Sequence, residues 1–107
     1  MERAGGFVWL FPKVFRCRAR DIVAAVGGKI PVLVDSGFRR GTDIAKALCM
    51  GAQAVCVGRP YIWGLGAFGQ PGVERVLELL RVELYAIMQQ VGAPSVKQLT
   101  PAMVRRA

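Results

Sequence analysis

The sequence predicts an α/β fold with parallel strands, and three observations carry that prediction. Two short apolar runs, Ile30–Val34 and Ala54–Val57, show no polar–apolar alternation. Continuous runs suit strands covered on both faces, as in parallel sheets. One helix-length segment separates them, with Ile44, Ala47 and Leu48 at helical spacing. Each run ends in a small-residue turn that carries arginine: Asp35-Ser36-Gly37-Phe38-Arg39-Arg40 after the first, Gly58-Arg59-Pro60 after the second. This is a βαβ unit of ordinary length, so the strands should be parallel and the crossover right-handed.

Length and composition bound the reading. The chain has 107 residues, the size of one domain. Its hydrophobic content of 53% is high for so small a unit, which buries only about 60–70% of its unfolded surface. Part of that apolar material should therefore face a partner subunit or the remainder of a larger fold. The net charge of +8 raises nucleic-acid binding, but its distribution argues against a specific site. Arg3, Lys13, Arg16, Arg18 and Arg20 crowd one end, Arg105 and Arg106 sit at the other, and the rest are scattered. No basic run is interleaved with stacking aromatics. Cys17, Cys49 and Cys56 are odd in number and widely spaced, which makes neither a disulfide framework nor a metal site. They fit a reducing cytoplasm. No apolar run approaches the ~18 residues of a membrane span. The absence of histidine removes the commonest general base and metal ligand.

Residues 1–17 have no clean period, and Gly5-Gly6 and Pro12 interrupt them. They read as a divergent, disordered extension, and residues 18–107 as the folded part. Arg18–Val26 fits a short helix with Ile22, Val23 and Val26 on one face, stopped by Gly27-Gly28. After the first strand and loop, Thr42 or Asp43 is placed to cap the next helix, and Gly51 to end it. Tyr61–Phe68 reads as a short irregular helix. Gln70-Pro71 opens the longest helix, whose inner face is Val73, Val76, Leu77, Leu80, Leu84, Ile87, Met88 and Val91. Gly92 and Pro94 end it. Ser95–Leu99 reads as one helical turn, and Thr100-Pro101 as the start of a last one.

The two arginine turns carry the chemistry. A phosphate needs backbone N–H donors at close approach, hence glycine, and the positive end of a helix. Arginine adds charge and bidentate hydrogen bonds. Gly37 and Gly58 supply the first need; Arg39, Arg40 and Arg59 supply the last. A phosphate site after two successive late strands, beside a short extra helix, is an arrangement of (β/α)₈ barrels. Spacing alone equally allows tight turns with solvated arginines. Asp35 reads as a partner for a ribityl or ribose hydroxyl, or as a capping aspartate. Tyr61 and Trp63 read as core packing more readily than as a ring-binding face. Lys46 reads as solvated.

The stretch DSGFRRGTDIAKALCMGAQAVCVGRP resembles the C-terminal FMN-phosphate segment of the FMN-dependent α-hydroxy-acid oxidases and dehydrogenases. The likeness continues through YIWGLGAFGQPGVERVLELLRVEL and covers roughly Ile22 to Arg106. The resemblance implies the C-terminal quarter of a (β/α)₈ barrel: strands seven and eight, helices seven and eight, and the closing tail. It implies FMN as cofactor, with Asp35, Ser36, Gly37, Phe38 and Arg39 lining the ribityl-phosphate from one loop. Gly58 and Arg59 would hold the phosphate from the other. Ser36 stands where many members have glycine. The family's catalytic histidine and substrate-binding arginine lie in an S-N-H-G-x-R-Q segment that this chain lacks, so no catalytic residue is assigned and no metal. Residues 1–17 match nothing expected before strand seven, and a barrel needs about 250 residues. They read as a foreign start on a truncated member. The expected function is the FMN-phosphate-binding segment of an oxidoreductase that converts (S)-2-hydroxy acids of lactate or glycolate type to 2-oxo acids. Alone, the chain is expected to be catalytically incompetent. The alternative is a non-catalytic phosphate- or flavin-binding module completed by a partner chain. Full-length members of the family are often homo-oligomeric.

Overall fold

The computed structural model describes residues 8–10 and 20–105. Expectations for the rest of residues 1–17, for Cys17, Arg18 and Arg106 lie outside the described residues. The strands are β1 (Val8–Leu10), β2 (Val32–Asp35) and β3 (Ala54–Cys56), in the order β1-β2-β3, all parallel. The helices are α1 (residues 20–26), α2 (Gly41–Cys49), α3 (Arg59–Phe68) and α4 (Gln70–Val91). Single 3₁₀ turns at Val96–Gln98 and Pro101–Met103 follow.

The central βαβ unit forms as expected, with Val34 opposite Val55 and Asp35 opposite Cys56. The first strand starts two residues later than the apolar run. Pro31 has no N–H to donate to a ladder, and Ile30 is left exposed. Burial along β2 alternates: Val32 and Val34 are buried, Leu33 and Asp35 half-buried. The expectation of cover on both faces therefore holds on the helix side only. There Val32, Val34, Phe38, Ile44, Ala47, Ala52 and Leu80 form the core, with Ile22, Val23 and Val26 of α1 packed against it. Val8–Leu10 differ from the disordered extension expected there. They form a strand in parallel register with Val32–Val34, a backbone pairing that needs no side-chain period.

Helix α2 begins at Gly41 with Arg40 at its N-cap, and Asp43 serves from the third position rather than as the cap. Its carboxylate accepts from the Arg40 N–H at 3.2 Å, half of a capping box. Gly51 follows the last turn at φ +102°. Helix α3 is regular and starts at Arg59, two residues before the expected Tyr61, because Pro60 is pre-set for a first turn. On α4, Leu80 and Met88 are buried, but Leu77 and Val91 of the expected inner face are exposed. Nothing among the described residues covers that edge of the stripe.

Helices α3 and α4 form a hairpin about Gly69, and their backbones meet at Gly64 and Gly72. A Cβ on Gly64 would lie 2.5 Å from the Gly72 carbonyl oxygen. This contact fixes where the start of α3 sits relative to the sheet, and so where Arg59 sits.

Candidate functional site

The loop after β2 turns through two consecutive residues of positive φ, Ser36 at +91° and Gly37 at +83°. That brings Asp35 to the loop mouth and drops Phe38 into the core, where it is 4% exposed. Phe38 anchors the loop. Left-handed backbone costs a non-glycine residue roughly 1–2 kcal/mol, while glycine returns about 0.4–1 kcal/mol through the freer unfolded chain. Ser36→Gly should therefore raise stability by about 0.5–1 kcal/mol, read as a higher denaturant midpoint at unchanged m-value. A lower midpoint would show that the serine is held by something worth more than its strain.

The second loop is two residues, Val57 and Gly58. Gly58 is the N-cap of α3 and Arg59 its first helical residue. The orphan N–H groups and positive dipole end of this ten-residue helix point at the β2–α2 loop. A cavity of about 270 Å³ lies between, lined by Asp35, Ser36, Gly37, Phe38, Arg39, Gly58, Arg59, Pro60 and Ile62. All seven residues singled out from the sequence line it. An added Cβ at Gly37 or Gly58 would meet no atom within 4 Å, so at both positions the backbone opens onto free space.

The structure separates the two adjacent arginines. Arg40 is drawn away to α4, where its Nε donates to Glu83 Oε1 and Oε2 at 3.0 and 3.1 Å. The Gly41 N–H donates to Glu83 Oε2 at 2.7 Å. Arg40 is thus a tie between α2 and α4 and no part of the cavity. The ion pairs among the described residues are Arg40–Glu83 and Arg81–Glu78, so neither Arg39 nor Arg59 is neutralised by an acid. The Arg39 guanidinium lies over the Trp63 ring, 5.1 Å from its centroid. Trp63 is 55% exposed, so it does not have the core-packing role expected of it. Its signal in the sequence was its place four residues after Arg59, one helical turn on.

Glu83 is the electrostatic joint of this region. The Gly41 N–H, and secondarily Arg40, hold its carboxyl below the usual range. A depressed folded-state pKa contributes stability above the unfolded value, about 4.3, and that contribution is lost as pH falls through the folded value. Acid unfolding should accordingly steepen below about pH 4.3. Glu83→Gln should flatten that limb; an unchanged acid limb in the variant would refute the linkage. Elsewhere, Cys49 is buried, and burial pushes its thiol up. Cys56 is half-buried and raised by burial and by the Asp35 charge beside it. Lys46 is solvated as read. No helix among the described residues is long and apolar enough to cross a membrane.

The arrangement can hold a dianion. Two arginines without an acid partner among the described residues, a helix N-terminus and two open glycine backbones converge on one cavity, and Asp35 at its edge repels a phosphate but accepts from hydroxyls.

Comparison with known proteins matches this geometry to a family. Residues 18–106 match the family described as FMN-dependent dehydrogenase. A peroxisomal (S)-2-hydroxyacid oxidase of Arabidopsis thaliana is 48% identical over 85 residues, 79% of this chain and 23% of that protein. An active chimera of (S)-mandelate dehydrogenase superposes with a TM-score of 0.80 at 43% identity, covering 84% of this chain and 25% of that one. A mandelate oxidase carrying a monooxide FMN adduct superposes at 0.72 with 51% identity, over 74% of this chain and 25% of that one. The chain thus spans about a quarter of the length of the relatives it matches.

Proposed function

The chain belongs to the FMN-dependent dehydrogenase family, and on that premise we propose that its two loops hold the phosphate of FMN, the cofactor of that family. The observation that carries this is the convergence of Asp35, Ser36, Gly37, Phe38, Arg39, Gly58 and Arg59 on one cavity at the start of α3. Arg39 and Arg59 would neutralise the phosphate, and the N–H groups at Gly58 and the first turn of α3 would donate to its oxygens. Gly37 would let the first loop approach closely, with Phe38 contributing its backbone from a buried anchor. Asp35 would accept from a ribityl hydroxyl, since its carboxylate would repel the phosphate itself.

In this reading the chain is the C-terminal quarter of a (β/α)₈ barrel, with β2 and β3 as its last two strands. The half-covered Leu33 side of β2 supports it. So do the exposed apolar side chains Ile62, Leu65 and Phe68 on α3, which a piece of a larger assembly presents. In the whole protein, FMN held by Arg39, Arg59 and the first turn of α3 would supply the hydride-accepting chemistry for oxidation of an (S)-2-hydroxy acid. This chain would bind and orient the cofactor by its phosphate. Its free thiols suit a reducing compartment, and we propose the cytoplasm.

Titrating FMN against the purified chain and following the loss of flavin fluorescence tests the grip. Saturable quenching is expected. Turnover of lactate or glycolate is not expected from the chain with FMN supplied, because the chain has no histidine to take the α-hydroxyl proton. Measurable product would overturn the assignment of the chain as the cofactor-holding part alone. Saturable binding without turnover, lost on removing the arginines, would also be the behaviour of a binding module completed by a partner chain. That second reading is favoured if the partner restores turnover.

A further inference from the structure

Trp63 lies beneath Arg39, one of the two arginines of the cavity. It is four residues after Arg59 on α3, so the two side chains share one face. Side chains on a helix tilt toward its N-terminus, which aims the indole at Arg59 and at the facing loop. Arg39 reaches it from that loop, its guanidinium 5.1 Å from the ring centroid. The Arg39 backbone is fixed from both sides, by the buried Phe38 before it and by the Asp43 carboxylate, which accepts from the Arg39 N–H at 3.4 Å. Backbone anchoring leaves the four-bond side chain free, and an exposed arginine without an acid partner has many rotamers to lose on binding. The ring removes part of that freedom before the anion arrives.

We propose that Trp63 is a positioning residue of the phosphate site, a platform that pre-orders the Arg39 guanidinium over the cavity mouth. The proposal rests on the phosphate-grip reading and adds to it. A cation–π contact at an exposed site corresponds to roughly a 2- to 5-fold effect on affinity. Because Trp63 acts through Arg39, its effect must vanish when Arg39 is gone.

The test is a double-mutant cycle on the full chain with FMN as probe, following flavin fluorescence at fixed ionic strength. Trp63→Ala should weaken FMN binding roughly 2- to 5-fold, and Trp63→Phe should restore most of it. In an Arg39→Ala background, Trp63→Ala should add nothing. Equal losses in both backgrounds would overturn the proposal, since Trp63 would then act by itself on the ligand or on folding. So would wild-type affinity in Trp63→Ala. An NMR readout needs no ligand: ring current should shift the Arg39 side-chain protons upfield, and the shift should disappear in Trp63→Ala. Its absence from the wild-type chain also overturns the proposal. If instead Arg39→Ala and Arg59→Ala each leave FMN binding unchanged, the grip itself fails, and that outcome is distinct from a failure of Trp63 alone.

Discussion

Arg59→Ala will weaken FMN binding by roughly 10- to 100-fold, the largest effect of any single side chain in the cavity. A hydrogen bond to a charged group is worth about 1.5–3 kcal/mol, and each 1.4 kcal/mol is tenfold. Arg59 combines that bond with its place as the first residue of α3, where the helix dipole already favours an anion. Arg39→Ala should cost less, because Arg39 approaches from an exposed loop and not from a helix N-terminus. Arg59→Lys keeps the charge but not the planar fork, so it should fall between wild type and alanine. The effect should shrink as salt is raised, since the cavity is open to water. Fluorescence titrations at two ionic strengths measure all of this. Unchanged affinity in Arg59→Ala would remove the phosphate from this cavity.

Gly72→Ala will unfold the α3–α4 hairpin at a temperature well below wild type. The new methyl would run into the Gly64 backbone, which cannot rotate away as a side chain can. Overpacking costs about 1–3 kcal/mol, and backbone contact places this site at the upper end. For a chain of this size that is a fall on the order of 10–20 °C in Tm. Gly66 supplies the control on the same hairpin. An added Cβ there meets nothing within 4 Å, and its φ is ordinary, so Gly66→Ala should stabilise α3 by up to about 1 kcal/mol through helix propensity. Gly72→Ala should also weaken FMN binding, because displacing α3 displaces Gly58, Arg59 and Trp63 together. A thermal scan in which both variants behave alike would show that helix propensity, and not close approach, governs the hairpin.

The site was largely legible in the chain, and the reasons are local. Glycine before or after an arginine at the end of an apolar run announces a tight turn with donors, whatever the rest of the fold does. That pattern singles out Gly37, Arg39, Arg40, Gly58 and Arg59, while Ser36 and Phe38 entered only through the family resemblance. Arg40 shows the limit. It is chemically equivalent to Arg39 and adjacent to it, and nothing nearby distinguishes them. Glu83, 43 positions away, captures Arg40 and so selects Arg39 for the cavity. Trp63 shows the same limit from the other side: its spacing from Arg59 was readable, but its partner on the loop was not.

Local pattern by itself determined the parallel βαβ unit and the two arginine turns. Those follow from hydrophobic period, glycine and proline, which act over a few residues. Tertiary structure alone decided which arginine is left unpaired and which glycines are points of backbone contact. It also decided that Val8–Leu10 pair as a strand. Each of these depends on what another segment, distant along the chain, brings within a few ångströms.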